Sequence, residues 1–234
     1  MKVTAVIPAA GAGKRMIPRP DTGGVKKQFL EINGKPLLSI TVSVFEECQS
    51  IDDIIVVAAP DDIEAVRSML KDFRKVRDIV EGGPERQDSV YNGLKDISKE
   101  SDDDLVVIHD GARPLVTKEI ISKAVTEARV SKAVVVGVPA KDTIKTVSAK
   151  NFTLETLDRG SLWLVQTPQV FQLSVIKQAY ERAQKINYRA TDDSKLVERM
   201  GIPVKMITGS YDNIKITTIE DVAIAESILN RRAK

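Results

Sequence analysis

The sequence predicts an α/β protein: an open, mostly parallel twisted sheet with helices on both faces, plus a β-arm. Three observations carry that reading. Strand-like runs such as "VTAVIPA", "DDIIVVAA" and "AVVVGVP" are apolar throughout rather than alternating, as strands covered on both faces are. They are separated by stretches whose apolar residues recur at helical spacing, the order of a parallel sheet with crossover helices. One segment, 140–165, breaks this regularity with polar and apolar residues alternating between turn residues, which reads as a hairpin arm.

Element by element, "VTAVIPA" (3–9) is a buried first strand. "PLLSITVSVFEEC" (36–48) is a helix with Leu37, Leu38, Thr41, Val44, Phe45 and Cys48 on one stripe and Pro36 near its start. "DDIIVVAA" (52–59) is a strand, and "PDDIEAVRSMLKDF" (60–73) a helix with acidic residues in its first turn, where the helix dipole favours them. "VRDIVEGG" (76–83) is a short strand ending in glycines, and "RQDSVYNGLKDI" (86–97) is helical. "DLVVIHDGARP" (104–114) is a strand that breaks into a loop. "TKEIISKAVTEARV" (117–130) is a helix with Thr117 as N-cap, and "AVVVGVP" (133–139) is another strand. The arm at 140–165 holds the one tryptophan, Trp163, and its apolar face calls for a partner, so a homodimer is expected. "NIKIT" (213–217) reads as a strand, and "TIEDVAIAESILNRR" (218–232) as an amphipathic helix opened by Thr217 and Glu220 at capping-box spacing. "IPRPDTGGVK" (17–26), rich in Pro, Gly and charge, reads as a disordered lid.

The chain has 234 residues, enough to bury a full core without disulfides, and a single domain over 1–234 is expected. Its 35 basic and 33 acidic residues leave a net charge of +2, no footprint for nucleic acid. One cysteine and one histidine exclude an internal disulfide and a Cys/His metal cluster. The opening apolar run is too short for a signal peptide, and no stretch approaches membrane-span length, so a cytoplasmic protein without membrane partners is expected.

Ligands of open α/β sheets bind beyond the carboxyl ends of the strands, which selects loops 8–16, 81–89, 109–114 and 139–145. In "PAAGAGKRM" (8–16), Gly11 and Gly13 let backbone N–H groups approach an anion, while Lys14 and Arg15 add charge. The loop is neither a dinucleotide fingerprint nor a P-loop. In "EGGPERQDSV" (81–90), Gly82 and Gly83 precede Ser89, a hydroxyl able to bind a base or phosphate, or simply a buried serine. His109 reads as a packed strand-end residue, while Asp110 suits Mg²⁺ or a ribose hydroxyl. Arg113 is an internal ion-pair partner or a substrate contact. Arg159 in the arm and Lys215, which points away from the face of Ile214 and Ile216, are solvated charges or remote substrate contacts.

Taken together, "PAAGAGKRM", "KKQFLEINGKPLL", "EGGPERQDSV", "VVIHDGARP", "LDRGSLWLVQTPQVF", "TDDSKLVERMG" and "NIKITTIEDVAIAE" closely resemble the 2-C-methyl-D-erythritol 4-phosphate cytidylyltransferases, in the same order along essentially the whole chain. The resemblance implies a nucleotide-diphospho-sugar transferase fold whose β-arm clasps a second subunit. It implies that CTP and methylerythritol phosphate react by direct displacement, with Mg²⁺ bridging the triphosphate. Arg15 and Lys27 match the residues that stabilise the transition state. Arg159 and Lys215 match those that position the sugar phosphate, and Thr143 and Thr191 its other contacts. Ala9, Ala10, Gly82 and Ser89 match the cytosine site, and Asp110 the ribose and metal region. Two features depart from the pattern. The segment after Arg15 is long, leaving Lys26 and Lys27 as candidates for one role, with "KQF" favouring Lys27. Pro84 follows Gly83 and has no N–H to offer a base. A cytidylyltransferase for ribitol 5-phosphate shares the first loop, and "HDGARP" with "LDRGSLW" favours methylerythritol phosphate over it. A non-catalytic nucleotide-binding module remains the reading from another class, against which the joint presence of Arg15, Lys27, Asp110, Arg159 and Lys215 argues.

Overall fold

In the computed structural model, residues 1–11, 26–98, 101 and 103–233 are described. The strands are β1 (Val3–Pro8), β2 (Glu31–Ile32), β3 (Lys35–Pro36), β4 (Asp53–Ala58), β5 (Val76–Glu81), β6 (Leu105–Ile108), β7 (Ala133–Pro139), β8 (Lys145–Val147), β9 (Thr153–Thr156), β10 (Trp163–Gln172) and β11 (Lys205–Thr208). The helices are α1 (Leu37–Glu46), α2 (Ile63–Leu70), α3 (Arg86–Asp96), α4 (Lys118–Ser131), α5 (Leu173–Lys185), α6 (Asp193–Glu198) and α7 (Glu220–Arg232).

Seven strands form one sheet in the order β11-β7-β10-β6-β1-β4-β5. β1 pairs in parallel with β4 and β6, so that Ala5 lies opposite Ile54 on one side and Val107 on the other. β10 alone runs against its neighbours β6 and β7. Strand residues of opposite parity feed two cores, as the two-residue repeat of a strand requires. Val3, Ala5 and Ile7 pack with α1, α2 and α4, while Val6, Ile55 and Val57 pack with α3, α5 and α6. Cys48 lies in the first core. A third cluster joins Ile32, Leu37 and Leu115 to Ile216, Ala225 and Ile228.

Three expectations are corrected. First, Trp163 and "TPQVF" belong to β10 inside the main sheet, and the arm is the shorter β8–β9 hairpin. Gln166 and Gln169, which interrupt the apolar run of β10, are buried and bonded rather than solvated: Gln166 donates to Ser210 O, and Gln169 donates to Asp192 and accepts from the Ser194 amide. Second, "NIKIT" forms no strand and joins no sheet; β11 is the sheet-edge strand instead. Its isoleucines contribute to the third cluster, and Ile216 N–H bonds Ala112 O at 2.8 Å. Third, α7 is opened by Asp221, which accepts from the Thr217 and Thr218 amides and the Thr217 hydroxyl. The 139–145 loop lines neither of the two clefts of its own chain described below. The N-cap at Thr117 accepts from the Ile120 amide as expected. The expected lid falls on residues outside those described, apart from Lys26.

Candidate active site

Two clefts meet past the carboxyl end of β6: the first lies beyond the ends of β1 and β5, and the second runs along β7, β10 and β11. The first, about 420 Å³, is lined by Ala9, Ala10 and Gly11 after β1, Lys27 and Gln28, Gly83 to Arg86 and Ser89 after β5, Asp110 to Ala112 after β6, and Lys215 and Thr217. The second, about 500 Å³, is lined by Arg113, Gln166, Thr167, Thr191, Ser194 and Met206 among others. Arg86, Asp110 and Lys215 line both.

Backbone bonds hold the loops of the first cleft in register. Ala9 N–H donates to Val57 O at 2.7 Å, and Gly111 N–H to Pro8 O at 3.1 Å. Gly82 N–H donates to Ala58 O at 2.8 Å. A Cβ on Gly82 would lie 2.3 Å from Ala10 Cβ and 3.0 Å from Ser89 Oγ, so only glycine lets these loops touch. Ser89 Oγ accepts from Gly83 N–H at 3.2 Å and donates to Glu85 O at 3.1 Å, closing the turn into α3. A Cβ on Gly11, which lines the cleft, would meet no atom of the described residues within 4 Å.

A chain of charges forms the wall between the clefts. Asp110 Oδ1 accepts from Arg86 Nε at 2.9 Å and Oδ2 from Lys215 Nζ at 2.6 Å; Arg113 Nε stands 4.0 Å away. Arg86 also forks onto both oxygens of Asp193, at 3.0 and 2.8 Å. The buried Tyr180 hydroxyl donates to Asp193 from behind. Burial alone would raise the Asp110 carboxyl, but Arg86, Lys215 and Arg113 outweigh it and hold the group well below the usual carboxylate range. Burial, helped by Asp193, raises the Tyr180 phenol and keeps it a proton donor.

His109 supports this wall from the core. Its Nε2 meets Arg113 O at 3.0 Å; a carbonyl can only accept, so Nε2 carries the proton. Nδ1 then accepts from Thr167 Oγ1 at 3.1 Å, and that oxygen accepts from the Asp110 amide at 3.1 Å. Burial lowers the His109 imidazole to about 4.

Of the residues singled out from sequence, Ala9, Ala10, Gly11, Lys27, Gly83, Ser89, Asp110 and Lys215 line the first cleft. Arg113, Thr191, Asp110 and Lys215 line the second. Gly82 sits behind the first loop. Gly13 and Arg15 lie outside the described residues. Lys26 is paired with Asp62 at 2.6 Å, while its neighbour Lys27 lines the cleft. Thr143 and Arg159 are exposed and line neither cleft; Arg159 donates to Lys141 O at 2.7 Å. Sequence reasoning passed over Arg86 and Asp193. A signal existed: Arg86 is the first residue of α3, where a cation opposes the helix dipole and calls for a carboxylate partner.

Among the described residues no group of three or more His, Cys, Asp or Glu could hold a metal. Asp110 is the carboxylate shared by the two clefts, and it is already paired with two cations. This donor set fits a magnesium ion that takes most of its ligands from phosphates, not a protein-built metal cage.

A family profile described as 2-C-methyl-D-erythritol 4-phosphate cytidylyltransferase matches residues 3–231. The chain is 48% identical over 234 residues to the protein of that name from Caldanaerobacter subterraneus subsp. tengcongensis, covering 99% of this chain and 100% of the relative. It is 45% identical to that of Geotalea uraniireducens, covering 98% and 97%. A solved structure of 4-diphosphocytidyl-2C-methyl-D-erythritol synthase from Anaerococcus prevotii superposes with a TM-score of 0.86 at 32% identity, over 98% of this chain and 96% of the other. The 2-C-methyl-D-erythritol 4-phosphate cytidylyltransferase of Thermus thermophilus superposes with a TM-score of 0.78 at 28% identity, over 98% and 100%.

Proposed function

The chain belongs to the 2-C-methyl-D-erythritol 4-phosphate cytidylyltransferase family, and on that premise we propose how its two clefts divide the reaction. The activity is cytidylyl transfer: CMP passes from CTP to 2-C-methyl-D-erythritol 4-phosphate, giving CDP-methylerythritol and pyrophosphate for isoprenoid precursors. The first cleft takes CTP and the second takes the sugar phosphate. The observation that carries this division is that both clefts share Arg86, Asp110 and Lys215, so their occupants meet at one wall.

In the reaction a 4-phosphate oxygen bonds to the α-phosphorus as the bond to the β-phosphate breaks, and pyrophosphate leaves with its electron pair. A phosphate nucleophile and a pyrophosphate leaving group need no protein nucleophile; placement and charge neutralisation do the work. Ala9, Ala10, Gly11, Gly13, Gly82, Gly83 and Ser89 hold the cytosine and triphosphate. Pro84 contributes no amide, so base selectivity rests on the other groups. Lys27 and Arg15 neutralise charge at the attacked phosphorus. Asp110 retains lone pairs beyond those given to Arg86 and Lys215, enough to accept from a ribose hydroxyl. Lys215, Arg113 and Thr191 receive the sugar phosphate. A magnesium ion, for which Asp110 would be the carboxylate at hand, would supply further charge neutralisation.

Thr143 and Arg159 fit the same reaction through a dimer. They line neither cleft of their own chain, and the β8–β9 hairpin beside them exposes Val147, Phe152 and Leu154. A second copy that buries this face brings the arm to its neighbour's sugar-phosphate cleft.

Steady-state pyrophosphate release tests the assignment. Arg15→Ala and Lys27→Ala lower turnover by about a hundredfold or more with little change in the Michaelis constant for CTP, as loss of a transition-state contact does. Arg159→Ala raises mainly the Michaelis constant for the sugar phosphate. Unchanged turnover in either of the first two variants removes that residue from the mechanism.

A further inference from the structure

We propose that Asp62 is a positioning residue for Lys27: its carboxylate clamps the residues on either side of that lysine and so sets where the amine stands in the first cleft. The proposal rests on the reading above that Lys27 acts at the phosphate.

Asp62 is the N-cap of α2, where an aspartate ordinarily accepts from the first free amides of its own helix. It makes no such bond. Its carboxylate turns outward instead: Oδ1 accepts from Lys26 Nζ at 2.6 Å and Oδ2 from Gln28 Nε2 at 2.8 Å. The Asp62 side chain is 8% exposed and Gln28 is buried, so the Gln28 bond is shielded from water, while the Lys26 bond reaches out to a half-exposed ammonium. The residue between the two held positions is Lys27.

The backbone completes the clamp. Residues Lys27–Phe29 form a single 3-10 turn, with Phe29 N–H bonding Lys26 O at 2.9 Å and Leu30 N–H bonding Lys27 O at 3.2 Å. Beyond the turn, Leu37 N–H bonds Leu30 O at 2.8 Å. Asp62 is itself anchored just past β4, its amide on Ala59 O at 2.9 Å. The loop after β1 is tied to the same strand through Ala9 N–H and Val57 O. Lys27 and the phosphate loop are therefore both referenced to β4. A lysine amine on a flexible stem gains directional placement only if its backbone is held.

The test is a double-mutant cycle on pyrophosphate release from CTP and methylerythritol phosphate. Asp62→Asn preserves volume but removes the charge that holds the Lys26 ammonium, and puts an NH2, which cannot accept, in place of one of the two bonded oxygens. It is expected to lower kcat by about tenfold while the Michaelis constant for CTP stays within about twofold. Lys27→Met lowers kcat further, and Asp62→Asn adds nothing on that background, because Asp62 acts only through Lys27. Lys26→Met, at a residue 44% exposed, removes one arm of the clamp without threatening the fold and gives a smaller loss with the same non-additivity. If Asp62→Asn lowers activity by the same factor with or without Lys27, or leaves kcat intact while Lys27→Met abolishes it, the clamp is refuted. Should Asp62→Asn not fold, the Lys26→Met pair decides between the same two outcomes. Full turnover in Lys27→Met overturns the role of Lys27 itself, and the proposal with it.

Discussion

His109 stays neutral because every position around its ring is already committed: Arg113 O faces Nε2, the Thr167 hydroxyl faces Nδ1, and Phe45 lies with its ring centroid 5.0 Å away. A second ring proton would force the Thr167 hydroxyl to turn its own proton away from Nδ1 and would place a charge in the core beside Arg113. The consequence for pH has a definite sign. In the unfolded chain the imidazole titrates near 6.5, in the fold near 4. Between those values the unfolded chain takes the proton and the fold does not, so stability falls as pH drops through that window, by up to about 3 kcal/mol, and the effect levels off below it. Asp110, held below the usual carboxylate range, contributes stability that is lost only at lower pH, so the two effects separate. Urea midpoints at pH 7.5 and 5 should show the loss in the wild type and a flatter response in His109→Gln; equal losses in both would contradict this account. The packed character of His109 was legible in the sequence, since it ends an apolar strand. The role of Arg86 was not, because its partners Asp110 and Asp193 lie 24 and 107 residues away. Lys215 was legible only as a direction: the residue between two isoleucines faces away from them, but Asp110 as its target depends on the fold.

Among the elements, the loop pair at Gly82 and Ala10 joins two strand ends that sequence patterning places at the same edge of the sheet. Their contact leaves no space for a methyl group: a Cβ at Gly82 falls within 3.3 Å of Ala10, Ser89 and Ala58 together. Gly82→Ala must push the first loop away from α3. Overpacking of this kind costs about 1–3 kcal/mol, and with the strain falling on the triphosphate loop, CTP should bind about tenfold more weakly. A binding titration that finds wild-type affinity would mean the loop can move freely and does not form the nucleotide site. Elements with continuous apolar runs or one clear stripe, such as β1, β4, β6, β7, α1 and α4, were legible. β10 was not, because buried glutamines interrupt its apolar run. "NIKIT" misled in the opposite way: its alternation is real, but it packs on α7 and bonds Ala112 without entering the sheet.

Across the whole molecule, a net charge of +2 conceals a local arrangement in which charges of both signs gather at one edge. Lys27, Arg86, Arg113 and Lys215 all line the clefts at the carboxyl ends of β1, β5 and β6, and within them Arg86 and Lys215 are matched against Asp110. Glu85, Asp110, Asp192 and Glu198 line the same clefts, so the four cations are balanced rather than in excess, and a shared wall between two clefts suits in-line transfer between their occupants. No helix among the described residues is long and apolar enough to cross a membrane. Among the described residues, the arm leaves Val147, Phe152 and Leu154 exposed on the single chain. The account's central claim is that this edge transfers a cytidylyl group to methylerythritol phosphate. The most direct measurement is pyrophosphate release by the purified protein with CTP and Mg²⁺, comparing methylerythritol phosphate with ribitol 5-phosphate. The account predicts release that depends on methylerythritol phosphate and is far slower with ribitol 5-phosphate; equal or faster turnover with ribitol 5-phosphate would contradict it.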